Sequence, residues 1–164
     1  MPIITWGPPV QVTAGGQLID VKIGAVNDEP GIYYFSRRHG DGPFCPFYIG
    51  KSQNLQTRLR QYLKNDTPHE VRIRNILLNL DGAAHDWDIA NGPRFYHYGY
   101  LNPAPGLQFG PTIARAERAF IHYALILGWN LVNNHHAGDA AFRTFEMAGD
   151  RTDDFVPDRL LAPR

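Results

Sequence analysis

Residues 31–62 read GIYYFSRRHGDGPFCPFYIGKSQNLQTRLRQY, and the fold follows from how this stretch is punctuated. Gly31-Ile32-Tyr33-Tyr34-Phe35 is a run of β-branched and aromatic side chains, suited to a strand. Arg37 to Pro46 gathers glycines, prolines and Asp41 into a short span, which predicts a turn. Phe47-Tyr48-Ile49 reads as a second short strand closed by Gly50. Ser52 then suits a helix N-cap, because its hydroxyl can accept from the unpaired amides of a first turn. Leu55, Leu59, Tyr62 and Leu63 recur at i, i+4, i+7 and i+8, which is one apolar helical face.

The polar residues of this unit are placed to meet. The two strands offer the phenols of Tyr33 and Tyr48, and Lys51 stands at the strand-to-helix junction. Arg58 and Tyr62 are four apart, so they lie one above the other on the helix. Two phenols, an ammonium and a guanidinium can thus converge on one anionic group. The pattern resembles the GIY-YIG nuclease family. Both name-giving tripeptides stand literally, as Gly31-Ile32-Tyr33 and Tyr48-Ile49-Gly50. Lys51 follows the second tyrosine by three positions, Arg58 by ten, and Tyr62 comes four further on. The resemblance covers residues 29–134. It divides the 164-residue chain into a lead-in strand or hairpin (1–28), the nuclease-like domain (29–134) and a C-terminal tail (135–164).

Outward from this unit, Val10, Val12, Leu18, Ile19, Val21 and Ile23 alternate around Gly15-Gly16, which predicts a hairpin or lead-in strand. Thr67-Pro68-His69-Glu70 has capping-box spacing with proline at the first helical position. The stripe Ile73, Ile76, Leu77, Leu80 extends that helix to about residue 81, with Gly82 as its stop. Arg94 to Leu101, RFYHYGYL, alternates aromatics and reads as a third strand. A long helix spans about 112–127. A further short helix is expected over Ala140 to Met147 in the tail. The fold class expected is a small α/β layer, a three-stranded and mainly antiparallel sheet flanked by helices, which is also what the resemblance implies.

Glu117 sits among Ile113, Ala116, Phe120, Ile121 and Ala124 on the apolar face of the long helix. An ionised carboxylate there is costly without a cation partner or a metal. The resemblance implies that Glu117 is the glutamate that holds one divalent ion, Mg²⁺ or Mn²⁺. It also implies a supporting asparagine soon after the helix. Asn130, in Trp129-Asn130-Leu131-Val132, matches best, with Asn133 and Asn134 as rivals. The adjacent His135 and His136 point to opposite sides of an extended chain, which argues against joint metal coordination.

Composition bounds the partners. A hydrophobic fraction of 43% and a charged fraction of 20% fit an ordinary folded chain. No run approaches the roughly 18 apolar residues of a membrane span, and no secretory signal is visible, which predicts a cytoplasmic protein with no membrane partner. The single cysteine, Cys45, excludes an internal disulfide. The net charge is zero, yet residues 37–74 hold eight cations against three anions. A basic half of this kind suits nucleic acid. Arg37, Arg38, Arg60, Lys64, Arg72 and Arg74 are its candidate phosphate contacts.

The chemistry implied is one-metal hydrolysis of double-stranded DNA, leaving 5′-phosphate and 3′-hydroxyl ends. Tyr33 or Tyr48 would be the general base or its relay, with Tyr33 preferred and Tyr48 positioning water or phosphate. Lys51 or the metal would stabilise the phenolate, and Arg58 would bind the non-bridging oxygens. Tyr62 fills a position where the family carries histidine or tyrosine. Restriction, a mobile element or a toxin would suit so small a chain, and cutting both strands at one site calls for a homodimer. Two other readings share the scaffold: an RNA-directed nuclease, and a non-catalytic module that binds nucleic acid or protein.

Overall fold

The computed structural model describes residues 3–38, 40–78, 80, 92–102, 109–128, 131–132, 145–149 and 159–160. Its strands are β1 (Ile3–Trp6), β2 (Val10–Ala14), β3 (Gln17–Leu18), β4 (Gly31–Arg38), β5 (Phe44–Ser52), β6 (Arg94–Asn102), β7 (Phe145–Gly149) and β8 (Arg159–Leu160). Its helices are α1 (Leu55–Lys64), α2 (Pro68–Leu77) and α3 (Phe109–Ile126).

The three strands expected from the sequence form an antiparallel centre, β5–β4–β6. Tyr33 faces Gly50 on one side and Tyr98 on the other. The sheet is larger than three strands, however, and the described residues give it eight. The second edge of β6 is occupied by the lead-in segment, β1 along Gly99–Asn102 and β2 along Arg94–Tyr96, both antiparallel. An aromatic strand buried on both faces would otherwise leave its backbone donors and acceptors unpaired. β3 folds back on β2 through Gly15 and Gly16, both at positive φ as a two-residue hairpin turn requires. β7 pairs in parallel with β1, so Phe145–Gly149 is a strand where a helix over Ala140 to Met147 was expected. Residues 140–144 lie outside the described residues.

Helices cover both faces of the centre. β4 alternates sides, as a strand must. Ile32 and Tyr34 join Ile4, Trp6, Ile49 and Leu101 under the apolar stripe of α3. Tyr33 and Phe35 join Phe47, Tyr96 and Tyr98 under Leu55, Leu59 and Tyr62 of α1 and Ile73 and Ile76 of α2. Two-sided burial is the reason the sequence GIYYF lacks a polar alternation.

Both helix starts depart from the sequence reading. The N-cap of α1 is Asn54, not Ser52, and its side chain makes no capping bond. The Ser52 hydroxyl instead accepts from the Asn54 amide (3.0 Å). The cap is supplied from a distance: the Asp28 carboxylate accepts from the Thr57 amide (3.0 Å) and from its hydroxyl (2.8 Å). α2 does begin with Pro68 in its first turn, but Thr67 makes no side-chain cap bond. Glu70 pairs with Arg58 instead of closing the capping box. A charged guanidinium is the stronger partner for a carboxylate.

Candidate active site

The site is built where β4, β5, α1 and α2 meet. Glycine makes the close approaches of β4 to β6 and of the Tyr33 ring to β5 possible. A Cβ at Gly31 would overlap the Gly99 carbonyl oxygen, and one at Gly50 would overlap the Tyr33 ring. Tyr33 can therefore lie flat across β5, stacked on Tyr96 (5.4 Å) and close to Tyr48 (6.2 Å).

Its hydroxyl ends 2.6 Å from that of Tyr62. Arg58 binds this pair, with Nη2 donating to Tyr62 Oη (3.1 Å) and Nε reaching Tyr33 Oη (3.4 Å). The same guanidinium lies 4.3 Å over the Tyr62 ring. Nη1 donates to Gln61 Oε1 (2.8 Å) and to Glu70 Oε1 (3.1 Å). Arg58, Tyr33, Tyr48 and Tyr62 thus come together, whereas Lys51, expected to join them, lines a separate cleft. The arginine is held by a carboxylate on one side and presents its remaining surface to the phenols.

His69 is the member that sequence reasoning missed. Its Nε2 lies 2.9 Å from Tyr62 Oη and 3.1 Å from Tyr48 Oη. The one usable signal was Pro68, which starts α2 and sets His69 in its first turn.

Electrostatics divide the cluster. Burial pushes the Tyr33 phenol up, Tyr48 adds to this, and Arg58 opposes it. Tyr62 is raised by burial and by Tyr33 and Tyr48. Tyr48 is raised by burial, with the Tyr62 hydrogen bond pulling down and the Glu117 carboxylate pushing up. Burial works against the Arg58 charge, but the Tyr33 and Tyr62 phenols and the bonds to Tyr33 and Glu70 outweigh it. His69 is lowered by burial, then by Arg58, with Glu70 opposing. Near neutral pH the three phenols are protonated and Arg58 is charged.

The other sequence-derived residues are placed as follows. Glu117 is half-buried on α3, within electrostatic reach of Tyr48. Lys51 is exposed and lines a cleft of about 240 Å³ with Ser52, Gln53, Gly110 and Ile113. Arg60, Lys64 and Arg72 are exposed. Arg37 stands opposite Cys45 and Arg94 in the sheet. Arg38 is engaged by its own hairpin, donating to the Gly42 carbonyl (2.7 Å) and lying over Phe44. Arg74 binds the Asn65 carbonyl (2.8 Å) and Asp66 (2.8 Å) at the end of α1. Asn130, Asn133 and Asn134 lie outside the described residues.

Among the described residues no three His, Cys, Asp or Glu side chains converge on a metal position. A single carboxylate such as Glu117 suits a hard cation that retains most of its waters, as Mg²⁺ does. No helix among the described residues is long and apolar enough to cross a membrane.

No family model matches the chain, and no solved structure matches it. Over 57 residues the chain is 35% identical to the UvrABC system protein C of Synechocystis sp.. That match spans 35% of this chain and 8% of the length of that protein.

Proposed function

We propose that the chain is a divalent-metal-dependent endonuclease of the GIY-YIG type that hydrolyses phosphodiester bonds in DNA. The observation that carries the reading is the convergence of the Tyr33 and Tyr62 hydroxyls on Arg58, with the Tyr48 ring beside Tyr33, at the motif positions read from the sequence. The partial match to UvrABC system protein C supports it. An ion-paired arginine that holds two phenols favours a nuclease over a binding module.

Each residue has a part. Arg58 binds the non-bridging oxygens and offsets the charge that builds on them. Its ion pair with Glu70 fixes its position before substrate arrives, so little reorganisation is needed. Tyr33 is 2% exposed, whereas Tyr48 is half-buried, so Tyr48 is the phenol that can meet the attacking water. Tyr33 then orders Tyr62 and Arg58 behind it. Glu117 would hold one Mg²⁺ or Mn²⁺, whose charge would stabilise the leaving 3′ oxygen. Lys51, Arg60, Lys64 and Arg72 supply exposed positive charge for flanking phosphates, and a second copy would serve the opposite strand.

Nicking or linearisation of supercoiled plasmid tests this reading. Wild type is expected to cleave with Mg²⁺ or Mn²⁺ and not with EDTA, and Glu117→Gln is expected to be inactive with either metal. Equal cleavage by Glu117→Gln would overturn the metal assignment. Cleavage of RNA but not DNA would move the substrate class.

A further inference from the structure

His69 has no part in the mechanism above, yet it touches two of its phenols. Arg58 can only donate hydrogen bonds, and it donates to Tyr62 and Tyr33. The Tyr33 phenol is enclosed, and the nearest acceptor to its proton is Tyr62 Oη at 2.6 Å. Tyr62 Oη therefore receives from both Arg58 and Tyr33 and directs its own proton to Tyr48 Oη, whose proton in turn points to His69 Nε2. Nε2 is then the bare, accepting ring nitrogen, with the ring proton on Nδ1. Tyr48 Oη lies 3.1 Å from that nitrogen and Tyr62 Oη 2.9 Å, and the nitrogen's one lone pair serves the Tyr48 proton.

The groups that face His69 are Tyr48 from β5, Tyr62 and Arg58 from α1, and its own neighbours Glu70 and Arg72 on α2. Burial, Arg58 and Arg72 favour the neutral ring, and Glu70 alone opposes them. The ring is also only half-buried, so a proton received there can leave to solvent. Every other hydroxyl in the cluster ionises only at high pH.

We propose that His69 is the proton acceptor of the tyrosine cluster, taking the phenolic proton of Tyr48 as Tyr48 takes one from the attacking water. The inference rests on the nuclease reading above. As the water oxygen bonds to phosphorus, one of its protons passes to Tyr48 Oη, and the former Tyr48 proton passes to His69 Nε2. The second water proton stays on the new phosphate. The bond from phosphorus to the 3′ oxygen breaks with its electron pair on oxygen, which is protonated by solvent. Tyr48 ends as a phenol and His69 as an imidazolium that deprotonates to solvent. No free phenolate accumulates, so the high phenol pKa is not a barrier near neutral pH. His69 acts through Tyr48 and is a positioning and proton-holding residue.

The test is a pair of measurements. In single-turnover cleavage across pH 5–9, the wild-type rate is expected to rise through an inflection below the ordinary histidine value of 6.5 and then level. His69→Gln is expected to lose about 10²-fold at pH 7, and its rate to climb through pH 9, since Tyr48 must then ionise unaided. His69→Ala is expected to recover part of its rate with added imidazole. A residue that only packs would lower the rate without changing the profile, and that result, or a wild-type profile in His69→Gln, would overturn the proposal. In parallel, ¹⁵N NMR of the His69 ring without DNA or metal is expected to show a neutral Nδ1–H tautomer whose Nε2 resonance moves in Tyr48→Phe. A proton on Nε2 at neutral pH would also overturn it. If wild type cleaves nothing, the nuclease reading falls, while the NMR still decides whether Nε2 accepts.

Discussion

Two histidines on opposite sides of one sheet show what separates a structural polar cluster from a chemical one. His97 of β6 lies on the α3 side, stacked on Tyr34 at 4.1 Å and closed in by the edge of Phe44 at 5.0 Å. Its Nε2 lies 2.7 Å from the Ser36 hydroxyl, and both residues are buried. Burial lowers its pKa to about 3, so it stays neutral. His69 also has a lowered pKa and also meets hydroxyls through Nε2. It differs in opening to solvent and in sitting beside a cation that holds further donor capacity. The pair around His97 is satisfied and sealed. The group around His69 is satisfied only within itself and faces outward, where an anion can join it.

This contrast can be broken by mutation. The largest effect is expected for Arg58→Ala. It removes the proposed phosphate clamp and leaves the Glu70 carboxylate, 9% exposed, without its partner. Cleavage should be undetectable, and denaturant unfolding should show a loss of about 3–5 kcal/mol, typical of an orphaned buried charge. Retention of full stability would show that Glu70 is solvated. Gly50→Ala should come next, because the new methyl overlaps the Tyr33 ring. A loss of about 1–3 kcal/mol is expected, together with a fall in cleavage as Tyr33 leaves Tyr62. Ser36→Ala should cost about 1–3 kcal/mol by leaving buried His97 short of a partner, with no change in cleavage rate. An altered rate would mean that the two clusters communicate. Acid acts gradually, with the smaller change at any one pH step. The unfolded His97 ring takes a proton near pH 6.5 and the folded one not until about 3, so stability present above 6.5 drains as pH falls. Thermal melts should show about 1.4 kcal/mol lost per pH unit between those limits from this group, and His97→Phe should flatten that slope.

The sequence made the open cluster largely legible and the sealed one invisible. Tyr33, Tyr48, Arg58 and Tyr62 lie within a single strand–turn–strand–helix unit, where local punctuation fixes their placement. The Ser36–His97 bond joins residues 61 apart through a strand pairing that no local pattern encodes. The same distinction explains the helix starts. Ser52 had the right chemistry for a cap, but Asp28 reaches Thr57 from across the fold. Glu70 had capping-box spacing, but its competitor Arg58 is on another helix. The glycines of the two tripeptides were visible as letters, whereas the reason for them, the Gly99 carbonyl and the Tyr33 ring, is tertiary. The extra strands have the same origin, since the free edge of β6 becomes apparent only once β4 is placed on the other.

The most direct test of the central claim, that the hydroxyls gathered around Arg58 form a phosphate-cleaving site, is single-turnover cleavage of a DNA duplex by Arg58→Lys with Mg²⁺. Lysine keeps a positive charge near Glu70, but its three donors sit on one nitrogen and cannot reach Tyr33, Tyr62 and Glu70 at once as the separate nitrogens of the planar guanidinium do. The account predicts a protein that melts within a few degrees of wild type and cleaves about 10³-fold more slowly. Cleavage at the wild-type rate by a fully folded Arg58→Lys would contradict it.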